Sequence, residues 1–144
     1  MDIVKYNNSK HRDGLILLWK TVFSYSDKRS DPSFNIDNKV KMKDDLLFVA
    51  VDDDVVVGSI MGGYDGHRGW IYSLAVYKNH RGKGLGSMLL RHVEGELIKK
   101  GAVKINLQII SSNSEVVDFY NKNGYKVEER ISMGKEIPEN IPDC

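Results

Sequence analysis

The spacing of apolar residues changes several times along the chain, and each change marks an element. Asp2 to Tyr6 reads as a short first strand. Leu15, Leu18, Trp19 and Val22 then recur at helical spacing, which predicts an amphipathic helix. Asp31 before Pro32 has the form of an N-cap with proline at the first helical position, opening a second helix that ends near Lys43. Leu46 to Asp52 and Val55 to Tyr64 are β-rich runs separated by an Asp-rich turn. Trp70 to Val76 follows the turn residues Asp65-Gly66-His67-Arg68-Gly69, so the three runs predict an antiparallel meander.

Helical spacing returns from Gly84 to Lys100, with Leu85, Leu89, Val93 and Leu97 on one stripe and Gly101 as the natural C-cap. Val103 to Ile110 alternates as a strand. Ser112 and Glu115 have the spacing of a capping box for a short helix ending near Asn123-Gly124, and a last strand is expected from Tyr125. The predicted order is β-α-α-β-β-β-α-β-α-β. It gives an α/β (or α+β) fold whose mixed sheet contains one parallel crossover through the long helix, with helices on both faces. No repeat or proline-rich linker interrupts it; the prolines are Pro32, Pro138 and Pro142. A single domain over residues 1–144 is expected, with a polar tail from about residue 136.

Composition narrows the chemistry. The 144 residues carry 21 Lys plus Arg against 20 Asp plus Glu, a formal net charge of +1. A balance so close to zero argues against a polyanion as main partner, so no nucleic acid is expected. No apolar run approaches the about 20 residues that span a bilayer, and the N-terminus lacks a signal-peptide pattern, so a cytoplasmic protein without a membrane partner is expected. The one cysteine is Cys144, which leaves no disulfide framework or buried thiol nucleophile. His11, His67, His80 and His92 are scattered among loops and helices, so no metal site is expected.

The strongest local signal is Arg81-Gly82-Lys83-Gly84-Leu85-Gly86-Ser87, between a strand and the longest helix. A glycine-rich turn there aims several backbone N–H groups at one spot, where the helix dipole favours an anion. Two phosphate loops fail on spacing. A dinucleotide fingerprint counted from Gly82 meets Gly84 but then Ser87 in place of its last glycine, and a P-loop needs Ser or Thr where Gly84 stands.

The segment resembles the acyl-CoA signature of the GNAT superfamily of N-acetyltransferases, Arg or Gln, two residues, Gly, one residue, Gly or Ala, met by Arg81, Gly84 and Gly86. Leu74-Ala75-Val76 is similar to the end of that family's central strand. Asn113, Phe119-Tyr120 and Gly124-Tyr125 are similar to its downstream elements, and Met61 to Gly69 resembles the hairpin of the bacterial YpeA-type acetyltransferases. The resemblance implies a mostly antiparallel sheet whose central parallel pair splays apart, and acetyl-CoA as acetyl donor. It assigns the backbone of Arg81, Gly82, Lys83, Gly84, Leu85, Gly86 and Ser87 to the pyrophosphate, with Lys83 adding charge. Leu74, Ala75 and Val76 would pair with the pantetheine arm, and the Val76 amide would polarise the thioester carbonyl. Asn113 would bind the pantetheine side, and Tyr120 would protonate the departing thiolate. Read without the resemblance, Tyr120 is equally a half-buried core aromatic, Asn113 a helix cap, Leu74 to Val76 a plain core strand and Lys83 a solvated loop charge.

One departure stands out. The family often places a carboxylate on the central strand to collect the amine proton, whereas Trp70 to Val76 has no Asp or Glu. Asp65, His67, Tyr72 or a water chain are the replacement candidates. Asp27, Asp31, Glu128 and Glu129 lie in elements that border the acceptor cleft in the family, or are solvated surface charges. The expectation is direct acetyl transfer in a ternary complex to a primary amine of a small molecule or a peptide or protein N-terminus. The alternative is a non-catalytic acyl-CoA sensor. A homodimer is implied only at family level.

Overall fold

A computed structural model describes residues 1–23, 31–109 and 113–138, and its contacts divide the chain into two units, Met1–Gln108 and Ile109–Cys144. The first unit runs β1 (Asp2–Lys5), α1 (Asn8–Val22), α2 (Pro32–Met42), β2 (Leu47–Asp52), β3 (Val55–Tyr64), β4 (Arg68–Val76), a 3-10 turn at Lys78–His80, α3 (Leu85–Lys100) and β5 (Lys104–Leu107). The sheet order repeats the chain order, β1-β2-β3-β4-β5. The first four strands pair antiparallel, and β5 lies parallel to β4 after crossing over through α3.

Local chemistry explains the ends of these elements. Asn7 caps α1 by accepting from the N–H groups of Ser9 (3.0 Å) and Lys10 (3.2 Å). Its own N–H donates to Nδ1 of His11 at 2.9 Å, so the cap is reciprocal. Asp31 and Pro32 open α2 as expected. Asp53 and Asp54 both adopt positive φ (48° and 63°), which the tight β2–β3 turn requires and aspartate tolerates.

Helices cover both faces of the sheet. Leu15, Leu18 and Trp19 of α1 and Ile36 of α2 cluster with Leu47, Val49, Val56 and Ala75. Phe48, between Leu47 and Val49, points the opposite way, where its ring meets His92 of α3 edge-on at 4.6 Å. The α3 stripe Leu85, Leu89, Val93 and Leu97 is buried. No helix of the described residues is long and apolar enough to cross a membrane.

In the second unit α4 (Ser114–Lys122) follows Asn113 and turns off at Asn123 and Gly124, whose φ is 93°. Three expectations need correction here and at the unit's approach. The strand expected from Val103 is shorter, because its pairing with β4 runs only from Lys104 to Leu107; Ile110 lies outside the described residues, as do Asp27, Ser112, Pro142 and Cys144. The capping box does not form as spaced, since Asn113 is the N-cap and Glu115 is only the second helical residue. No strand starts at Tyr125. Its N–H is taken by the Tyr120 carbonyl (3.0 Å), and Val127, Ile131 and Met133 are 82%, 92% and 90% exposed. A strand forms only where a neighbouring ladder and a covered face complete it, and residues 125–138 form none.

Candidate active site

The site begins with a change of register in β4. Met61 lies opposite Tyr72, but Ser59 lies opposite Ala75, so two steps on β3 match three on β4. The extra residue is a β-bulge, and Ser73 carries its strained conformation with φ at 53°. The bulge decides where Val76 aims its amide. Before it, Asp65 N–H bonds the Arg68 carbonyl; continuing that register would set Val76 opposite Val57 in a hydrogen-bonded pair, its N–H consumed by β3. After it, Tyr77 N–H bonds Val57 at 3.1 Å and Val76 lies opposite Gly58, so the Val76 N–H and C=O face away from β3, towards the β5 side.

On that side the parallel pairing runs only from Arg68↔Lys104 to Ile71↔Leu107, and β4 continues five residues further, Tyr72–Val76. The central pair thus parts where the Val76 amide points. The Val76 carbonyl is held by Nε of Arg81 at 2.9 Å, which fixes the plane of the peptide that follows Val76.

Arg81 also opens the glycine-rich turn. Gly82 and Gly84 have φ of 79° and 81°, which a side chain would strain, and Gly84 is the N-cap of α3. Glycine has no side chain with which to cap, and the first turn of α3 contains no acidic residue. The first helical N–H groups, at Leu85, Gly86 and Ser87, therefore remain for an external acceptor, beside the cations of Arg81 and Lys83. Arg81, Gly82, Lys83 and Gly84 are exposed and Leu85 anchors the turn in the core. This donor set suits a pyrophosphate.

In the second unit Asn113 is exposed at the start of α4, and its side chain makes no capping bond. Tyr120 is buried, with the rings of Phe119 (5.1 Å) and Tyr125 (5.7 Å) edge-on to it. Burial pushes its phenol up to about 12.

The sequence profile of the acetyltransferase (GNAT) family matches residues 13–125, a span that takes in β4, the glycine turn and α4. The chain belongs to the GNAT acetyltransferase family. An acetyltransferase of Yersinia enterocolitica is 34% identical over 137 residues, 95% of this chain and 96% of its own. Another, of Sodalis glossinidius, is 40% identical over 112 residues, 77% of this chain and 79% of its own. The PaiA N-acetyltransferase of Thermoplasma acidophilum, solved with coenzyme A, shares the fold at a TM-score of 0.77 with 23% identity, over 90% of this chain and 92% of that one.

For a GNAT acetyltransferase the proton acceptor is the open role. β4 begins two residues earlier than expected, at Arg68, and still carries no carboxylate. Asp65 is committed to its turn: one oxygen accepts from His67 N–H (2.9 Å) and Arg68 N–H (2.7 Å), the other from the Trp70 indole (3.2 Å). The Arg68 and His67 amides, then the indole, hold its carboxyl below the usual range, which weakens it as a base. Burial raises the Tyr72 phenol, with Asp65 adding to the shift, so Tyr72 stays protonated. His67 is exposed. Two features were missed in the sequence, the Ser73 bulge and the Arg81 side chain on the Val76 carbonyl. Only the arginine carried a signal, as the first residue of the motif.

Proposed function

We propose that this acetyltransferase takes acetyl-CoA as donor and passes the acetyl group directly to a primary amine of a small molecule or a peptide or protein N-terminus, residues 1–144 acting as one domain. The observation that carries the reading is the Val76 amide, turned by the bulge into the parting of β4 and β5. Dependence on acetyl-CoA fits work in the cytoplasm.

Acetyl-CoA supplies an acyl group activated as a thioester. The N–H groups of Leu85, Gly86 and Ser87, with Arg81 and Lys83, hold the pyrophosphate through the backbone of the Arg81–Ser87 turn. Leu74 to Val76 align the pantetheine arm, with Asn113 on its other side. Val76 N–H donates to the carbonyl oxygen as the neutral amine nitrogen attacks and the carbon–sulfur bond breaks, the amine proton passing to water and the sulfur departing as thiolate. Tyr120 donates to the leaving sulfur. Its phenol, pushed up to about 12, makes it a hydrogen-bond donor rather than a ready acid. Full transfer to a thiolate whose conjugate acid lies near about 8.5 costs about 4.8 kcal/mol, at about 1.36 kcal/mol per unit.

The same arithmetic bears on the acceptor. Freeing a lysine amine of pKa about 10.4 at pH about 7 costs about 4.6 kcal/mol, against about 1 kcal/mol for an α-amine near 7.7. A β4 without a carboxylate and an Asp65 held ionised by its turn support the easier amine. We expect free CoA to be released with α-amines at least about tenfold more efficiently than with lysine side chains, the span of about 1.4 kcal/mol. Equal efficiency on the two would remove the α-amine preference. Binding of acetyl-CoA without CoA release from any amine would replace the enzyme with a sensor.

A further inference from the structure

Trp19 and Ser59 form a buried polar pair behind the β4 bulge. The Trp19 side chain comes from α1 and is 1% exposed; Ser59, from β3, is 0% exposed. The indole Nε1–H donates to Ser59 Oγ at 2.8 Å, and Ser59 Oγ–H donates to the Ser73 carbonyl at 3.0 Å. By taking one lone pair of the hydroxyl, the indole leaves its proton to the carbonyl. That carbonyl belongs to the one β4 residue with positive φ. Its bond joins β3 to β4 across the place where the register shifts. We propose that Ser59, oriented by Trp19, is a positioning residue for acetyl transfer: it holds the Ser73 bulge and thereby keeps the Val76 amide facing the donor.

The geometry gives the proposal its content. Were the Met61↔Tyr72 register to continue without the bulge, Val76 would lie opposite Val57 and its N–H would enter the β3 ladder. A serine has no intrinsic preference for φ near 53°, so surrounding bonds must maintain it. Ser59 supplies a buried side-chain hydrogen bond to the Ser73 carbonyl. The pair also ties the α1 side of the core to the donor side of β4, because Trp19 clusters with Leu15, Leu18 and Ala75.

The proposal rests on the acetyl-CoA reading, and the test separates the two. Ser59→Ala removes the bond to Ser73. Leu18→Ala disturbs the same core cluster and leaves both that bond and its indole partner in place. The probes are acetyl-CoA and the phospho-ADP head group of CoA, which lacks the pantetheine arm. Ser59→Ala is expected to weaken acetyl-CoA by about tenfold and leave the head group unchanged, since a misaimed β4 loses contacts to the arm alone. Leu18→Ala is expected to lower the melting temperature and keep acetyl-CoA affinity within about twofold, since its cavity leaves the Ser59–Ser73 bond intact. Affinity that follows melting temperature across both variants, or wild-type affinity in Ser59→Ala, overturns the role.

The backbone amide resonances of Ser73 to Val76, recorded without ligand, report the bulge itself. If they shift in Ser59→Ala while neither protein binds acetyl-CoA, the donor reading falls and the hold on the bulge stands. Unchanged resonances overturn that hold whatever the ligand does.

Discussion

Tyr120 illustrates how burial redefines a side chain. Its ring sits edge-on to Phe119 and Tyr125, and burial keeps the phenol neutral up to about 12. On the proposed mechanism, Tyr120→Phe removes the hydrogen-bond donor to the leaving sulfur with little change of shape. Turnover at saturating acetyl-CoA should fall by about a hundredfold with acetyl-CoA affinity nearly unchanged, the usual weight of a hydrogen bond to developing charge. Unaltered turnover would take Tyr120 out of the chemistry. Because the phenol ionises only near about 12, Tyr120 contributes no loss of rate below that pH, and the alkaline limb should be the same in wild type and variant. At this scale the sequence was legible where residue type itself sets the local geometry: Arg81, Gly84 and Gly86 lie in the turn and first residues that open α3. Ser73 was not legible. Its conformation is imposed by the cross-strand register and by Ser59, and neither leaves a mark on the identity of residue 73.

Elements were legible where local chemistry ends them. Asp31-Pro32 starts α2, Gly101 stops α3 with φ at 113°, and the α3 stripe is buried as its spacing requires. The strand expected at Tyr125 failed because the ladder that would complete a strand is a long-range matter, which the local sequence does not show. The α1 cap carries a pH dependence. His11 Nδ1 accepts the Asn7 N–H, which needs the ring unprotonated, and burial, with Lys10 nearby, lowers its pKa from 6.5. A histidine lowered in the folded state contributes stability that is present above 6.5 and is lost as pH falls through the lowered value. The melting temperature should therefore drop as pH is lowered from about 7 to about 5, and less steeply in His11→Gln, which cannot titrate. Parallel curves would show that His11 contributes nothing to the slope. At the other end of the sheet, Gly84→Ala places a Cβ at φ 81°. A cost of about 1–2 kcal/mol is expected from denaturant unfolding, together with weaker acetyl-CoA binding. Wild-type values for both would mean that the turn does not need the left-handed conformation.

Across the whole molecule, the order of elements and the single parallel crossover were readable because each βα and αβ step has its own punctuation. The parting of β4 and β5 was expected from family resemblance alone, since a strand's own sequence does not say where its partner leaves it. Net charge of +1 hides the local asymmetry that matters, the cations Arg81 and Lys83 at a helix start with no acid in its first turn. The family profile match over residues 13–125 spans parts of both units. Binding of acetyl-CoA is the most direct test, and a thermal melt reads it without knowledge of the acceptor. A ligand at about 100 times its dissociation constant adds about 2.7 kcal/mol, or about 5–10 °C for a domain of this size. We expect acetyl-CoA to raise the melting temperature by that amount, with ATP and NAD at the same concentration leaving it unchanged. No shift with acetyl-CoA, or an equal shift with ATP or NAD, would contradict the assignment of the Arg81–Ser87 turn to this donor.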